Sequence, residues 1–191
     1  HTSFYIRLPS WIFYLLASFS ISLFTYLLSE RFTIRNTAIA FPLALFLSAC
    51  SPFPIRYSVE AKAYSLLTLL ACLTLIFRFL IITNPFKSIN RLIFKTAYLV
   101  SISLLSLTHY YGVFYIISLI LTDLFVYRRK SLVLIELWAS IPVFIWILTC
   151  YQSLITSSSI SWISFPSYFL LEDILANYLG IYPIPKIIFF S

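Results

Sequence analysis

The amino-acid sequence predicts an all-α polytopic membrane protein with six transmembrane helices, and three observations carry that prediction. Apolar residues make up 61% of the 191 and charged residues only 10%, whereas a soluble domain carries about 25% charged residues to keep its surface wet. Mean hydropathy is +0.98. Apolar runs close to the length of a bilayer span alternate with short segments that hold most of the Lys and Arg. With 19 Phe and 14 Tyr against 2 Gly, a disordered, linker or collagen-like chain is excluded. A net charge of +7 would raise nucleic-acid binding in a soluble protein. Here the basic residues sit between apolar runs, where membrane topology accounts for them, and no nucleic-acid partner is expected.

A crossing helix needs about 20 predominantly apolar residues. Leu8 to Ser29 meets this and closes on Glu30-Arg31. Thr37 to Phe53 is a shorter second span, with Pro42 placed to kink it. Ala63 to Ile82 is the third, closed by Asn84-Pro85. Thr96 to Val126 is apolar throughout and too long for one untilted helix. It divides at Thr108-His109-Tyr110-Tyr111-Gly112 into the fourth and fifth spans. Leu132 to Tyr151 is the sixth, and Gln152 to Tyr168 is a Ser-rich stretch without Lys or Arg. Residues 1–151 therefore read as one six-span unit and 152–191 as the start of a large external loop.

Charge sets the orientation. Arg31 and Arg35 follow the first span. Lys87, Arg91 and Lys95 follow the third, with Arg78 nearby, and Arg128-Arg129-Lys130 precede the sixth. The alternate loops are poorer: Arg56 and Lys62 in one, none at Thr108–Gly112, none in Gln152–Gly180. The positive-inside rule then puts the segments before Leu8 and after Tyr151 outside. A first span running inward, the absence of Met and an opening at His1 together predict an internal piece of a longer protein.

Ionisable groups at the membrane are the first places to look for chemistry. The densest outer cluster runs from Ser51 to Tyr64. If the third helix begins near Tyr57, then Tyr57, Glu60, Ala61 and Tyr64 fall at i, i+3, i+4 and i+7 on one face. Two phenols and a carboxylate there suit a sugar or a phosphate. A bland alternative has equal weight: Arg56 and Glu60 at i, i+4 pair at the interface while Tyr57 and Tyr64 join the aromatic belt. Lys62, two residues from Glu60, points elsewhere. His109-Tyr110-Tyr111 forms a second outer constellation, an imidazole titrating near neutrality between phenols; an interfacial aromatic turn is the plainer reading. Trp162, within Ser161–Ser167, reads as a membrane anchor, and the adjacent Glu172 and Asp173 point in different directions on a helix. Asp123 and Glu136 flank Arg128–Lys130 and are expected to pair with it. Cys50, Cys72 and Cys150 form no CxxC and read as core residues.

Taken in order, Arg7-Leu8-Pro9-Ser10, Ser51-Pro52-Phe53, Tyr57-Ser58-Val59-Glu60-Ala61-Lys62-Ala63-Tyr64, Thr108-His109-Tyr110-Tyr111-Gly112, Trp162 and Pro166-Ser167 resemble one family. It is the bacterial relatives of protein mannosyltransferases, polyprenyl-phosphate-sugar glycosyltransferases of the GT-C fold (family 39-like). Lys62 stands where that family carries Arg, which keeps the charge and loses the planar bidentate donor. The resemblance implies that the six spans are helices two to seven of a GT-C module in a bacterial cytoplasmic membrane. The catalytic Asp would then lie upstream of His1, with no catalytic residue in this piece, which alone would be inactive. It implies transfer of a hexose or pentose, by inverting displacement, from a polyprenyl-phosphate donor to an acceptor hydroxyl on a glycan, lipid or protein. An acidic base would deprotonate the acceptor and cations would steady the departing phosphate. Tyr57, Glu60, Lys62 and Tyr64 would line the external pocket, with His109, Tyr110 and Tyr111 behind them. The resemblance names no cofactor and leaves a divalent metal open. A transporter or flippase for a lipid-linked sugar, which would show charged or broken helices near mid-membrane, and a non-catalytic membrane protein are the competing readings.

Overall fold

The computed structural model describes residues 2–32, 37–51, 55, 63–83 and 88–156, and every regular element among them is helical. In chain order these are α1 (Thr2–Arg31), α2 (Thr37–Ala49), α3 (Tyr64–Thr83), α4 (Ser88–Thr108), α5 (Tyr110–Leu121) and α6 (Lys130–Thr156), with a π-helical turn, Thr122–Val126, closing α5. Four of them contain stretches long and apolar enough to cross a membrane: Arg7–Arg31, Tyr64–Thr83, Arg91–Thr108 and Lys130–Cys150. Thr37–Ala49 and Tyr111–Val126 are apolar but shorter. The 13 residues of α2 extend about 20 Å, short of a hydrocarbon core of about 30 Å. Of the six expected spans, four are thus helices long and apolar enough to cross a membrane, and the other two are shorter apolar helices. α2 continues through Pro42, and the long apolar run divides at His109, where the sequence placed the break.

The packing inverts that of a soluble domain. Large apolar side chains face outward, among them Phe46, Trp138, Phe144 and Leu148, the last 76% exposed. Between helices an apolar cluster of Tyr98, Ile102, Ile116, Leu119, Leu132 and Ala139 is joined by many small or hydroxylated residues, Ala17, Ser18, Ser22, Thr74 and Ser101 among those buried. Lipid tails are as apolar as Leu, so burying Leu between helices brings little advantage. Close backbone approach and interhelical hydrogen bonds bring more. Several such bonds tie the bundle. Thr74 Oγ1 donates to Ser101 Oγ at 3.2 Å, Ser103 Oγ to the Ala139 carbonyl at 3.1 Å, and Tyr115 OH to the Ala71 carbonyl at 3.1 Å. The Tyr14 hydroxyl donates to the carbonyl of Ala49.

These contacts also fix direction. Tyr14 meets Ala49 while Phe19 meets Phe41, so α1 and α2 are antiparallel. Phe24 meets Phe79, and the ends of both helices, at Arg31 and Thr83, line one cavity, so α3 is parallel to α1. Thr74–Ser101 and Phe77–Phe94 make α4 antiparallel to α3. Ala71–Tyr115 and Arg78–Asp123 align α5 with α3, and Tyr98–Glu136 and Ser103–Ala139 align α6 with α4. Each helix thus reverses the one before it in sequence. Arg31, Arg91 and Arg128-Arg129-Lys130 consequently gather at one end of the bundle, and Cys50, Tyr64 and His109 at the other.

Candidate functional site

At the end opposite the basic cluster, α4 stops at Thr108 and α5 restarts at Tyr110. Between them His109 is extended, with φ −162° and ψ 150°, and acts as the N-cap of α5. Its ring Nδ1 accepts from the Tyr111 N–H at 3.3 Å, and its carbonyl accepts from the Gly112 N–H at 2.8 Å. A helix start leaves backbone donors without partners, and this one residue supplies acceptors to two of them. Gly112 allows the tight return. A Cβ there would stand 2.7 Å from the Leu105 carbonyl carbon, a backbone atom that cannot step aside.

The turn gathers aromatic rings from two separated motifs. The Tyr64 ring, at the start of α3, lies 5.3 Å from that of His109, and His109 stacks on Tyr111 at 4.9 Å. Burial holds the imidazole below its ordinary titration range, because desolvation disfavours the cation. A neutral ring whose Nδ1 accepts a proton-bearing N–H carries its own proton on Nε2, so His109 presents a donor there. Below the rings an apolar cavity of about 250 Å³ lies between α3, α4 and α5, walled by Thr68, Cys72, Leu105, Tyr111 and Tyr115. The structure thus brings Tyr64 together with His109 and Tyr111. Tyr57, Glu60 and Lys62 lie outside the described residues, as do Trp162, Glu172 and Asp173, and the Tyr110 side chain is not among those described.

The basic end holds a second polar centre, and it corrects the expectation for Asp123 and Glu136. Neither pairs with Arg128 or Lys130. Asp123, fully buried, takes Arg78 in a two-pronged ion pair: Nε donates to Oδ2 at 3.1 Å and Nη2 to Oδ1. Glu136, also fully buried, accepts from Tyr98 OH at 2.6 Å through Oε1. Its Oε2 has no hydrogen-bond donor, and the Asp123 carboxyl lies close by. The reason for the miss is periodicity. On α6, Glu136 lies six residues past Lys130 and turns inward with Leu132, Ala139 and Val143, while Lys130 faces out. The π-helical turn does the same for Asp123, carrying it to the interior as Leu124, Phe125 and Val126 stay exposed.

A signal for this centre was present: Arg78, Asp123 and Glu136 each interrupt an apolar run, and ionisable residues inside membrane helices mark function by default. Arg78 lies five residues from the end of α3, about 7.5 Å along it, and Glu136 about 9 Å from the start of α6. The centre therefore occupies the basic-end third of the bundle and not its middle. Among the described residues no three His, Cys, Asp or Glu side chains gather to hold a metal ion. No family model, curated protein or solved structure matches the chain.

Proposed function

We propose that this chain is the membrane-embedded part of a glycosyltransferase. In this reading it moves a sugar from a polyprenyl-phosphate donor to an acceptor hydroxyl on the face opposite the basic end. One observation carries the reading: Tyr64 and His109, which belong to two motifs 45 residues apart, meet ring to ring above an apolar cavity. Aromatic faces and a neutral imidazole donor suit a sugar ring and its hydroxyls, and an apolar cleft below suits an isoprenoid chain. With α2 and α5 counted as short crossings, the gathering of Arg31, Arg91 and Arg128–Lys130 at the opposite end supports an external aromatic end by the positive-inside rule. A dedicated base then deprotonates the acceptor, and the Tyr64–His109–Tyr111 group orients the donor.

The test uses the protein containing this chain in membrane vesicles, with radiolabelled polyprenyl-phosphate mannose, glucose and arabinose as donors. Tyr64→Ala and His109→Ala should each lower donor consumption at least tenfold while yield and thermal stability hold. Consumption unchanged in both variants removes the proposal.

A second reading, transport of a lipid-linked sugar, draws on Arg78, Asp123 and Glu136 buried between helices beside a π-helical turn. Their depth weighs against it, because a carrier site is expected near the midplane. Movement of a fluorescent lipid-linked sugar between leaflets, without consumption of the donor, would favour transport.

A further inference from the structure

At the basic end, α1, α3 and the turn between α5 and α6 enclose a cavity of about 410 Å³, open to the surface. Three of its lining residues are arginines, Arg31, Arg78 and Arg129, and no carboxylate among the described residues lines it. Its remaining wall is mostly apolar and aromatic, chiefly Phe24, Leu28 and Phe79. Arg78 already has Asp123 as its counter-ion, so the guanidinium charges of Arg31 and Arg129 face the cavity without a carboxylate among the described residues, and Arg78 and Arg129 are braced there. Arg78 is anchored from behind by buried Asp123. Arg78 and Arg129 both lie over the Tyr127 ring, 5.3 and 5.8 Å from its centroid. The backbone of Arg129 is pinned by its N–H donating to the Asp123 carbonyl at 2.8 Å. To reach that position the chain passes through Arg128 at φ 53°, left-handed geometry that a residue with a side chain rarely adopts. Arg31 and Arg129 meet no carboxylate among the described residues.

Guanidinium donors at the basic end of the bundle, two of them braced by Tyr127, with an apolar wall beside them, match a phosphate attached to a hydrocarbon chain. We propose that this cavity binds the headgroup phosphate of an anionic phospholipid from the leaflet at the basic end, with one acyl chain laid against Phe24, Leu28 and Phe79. The site is separate from the aromatic end and stands or falls independently of the glycosyltransferase reading.

The full chain, purified in mild detergent and freed of lipid, is titrated with phosphatidylglycerol and with phosphatidylcholine and followed by native mass spectrometry. Phosphatidylglycerol should bind at least tenfold more tightly. Arg31→Ala and Arg129→Ala should each weaken it about tenfold, the scale of one charge-assisted contact, and weaken phosphatidylcholine, whose ammonium offsets its phosphate, by less. Thr83→Glu, which sets a carboxylate in the same wall without removing an arginine, should act alike and serves if either Ala variant does not fold. Inorganic phosphate at 100-fold excess should not displace the lipid. Equal affinity for the two lipids, or anionic-lipid binding indifferent to all three substitutions, overturns the proposal. Displacement by inorganic phosphate assigns the cavity to the free ion and overturns the lipid.

Discussion

Removing Asp123 is the sharpest perturbation of this bundle. Its side chain is fully buried, and that of Arg78 is 13% exposed where it borders the open cavity, so water would only partly solvate a guanidinium left alone. Breaking a buried pair from one side costs about 3–5 kcal/mol, a large share of the roughly 5–15 kcal/mol that holds a domain together. Asp123→Ala should therefore unfold at much lower denaturant. Asp123→Asn keeps an acceptor but loses charge assistance, and should fall about 1.5–3 kcal/mol below the parent. The double variant Arg78→Leu/Asp123→Leu should recover most of the loss, because two apolar side chains leave no charge to desolvate. Glu136 also acts on Arg78 and offers it a substitute partner, so the cycle is repeated with Glu136→Gln, which closes that route. The assay is equilibrium unfolding by SDS titration in zwitterionic micelles, followed by circular dichroism, without anionic lipid. Additive losses, with a coupling energy below about 0.5 kcal/mol, would refute the claim that this pair organises the basic end.

Glu136→Gln alone should leave thermal stability unchanged or raised, since its amide still accepts from Tyr98 and can donate toward Asp123; a loss above about 2 kcal/mol would contradict that geometry. Tyr98→Phe strips Glu136 Oε1 of its donor and should cost about 1–3 kcal/mol by the same unfolding assay. Gly112→Ala should destabilise by about 1–3 kcal/mol through its clash with the Leu105 backbone, read as a lower melting temperature. Burial depresses the His109 pKa, so the unfolded state binds more protons as pH falls. The contribution of His109 is then fully present above the unfolded value near 6.5 and declines as pH drops through the folded value. An NMR titration midpoint at or above 6.5 for that ring would reverse the sign.

Composition alone pointed to a membrane protein, because 61% apolar and 10% charged residues leave little to cover a soluble surface, and four helices in the structure are long and apolar enough to cross a bilayer. Helix positions followed from run length, because lipid offers a backbone no hydrogen bonds and a spanning segment must satisfy its own. The break at His109 and the gathering of basic loops at one end were likewise legible, since both depend on local spacing. Lateral neighbours were not. The meeting of Tyr64 with His109 and Tyr111, across 45 residues and two helices, needs the packing of α3 against α4. The pairing of Asp123 and Glu136 was misjudged because sequence proximity to Arg128–Lys130 suggested a partner, while helical phase turned both carboxyls inward toward Arg78 and Tyr98. An ionisable group buried between helices takes whichever partner the neighbouring helix presents at its depth. Only the tertiary structure sets that depth and that face.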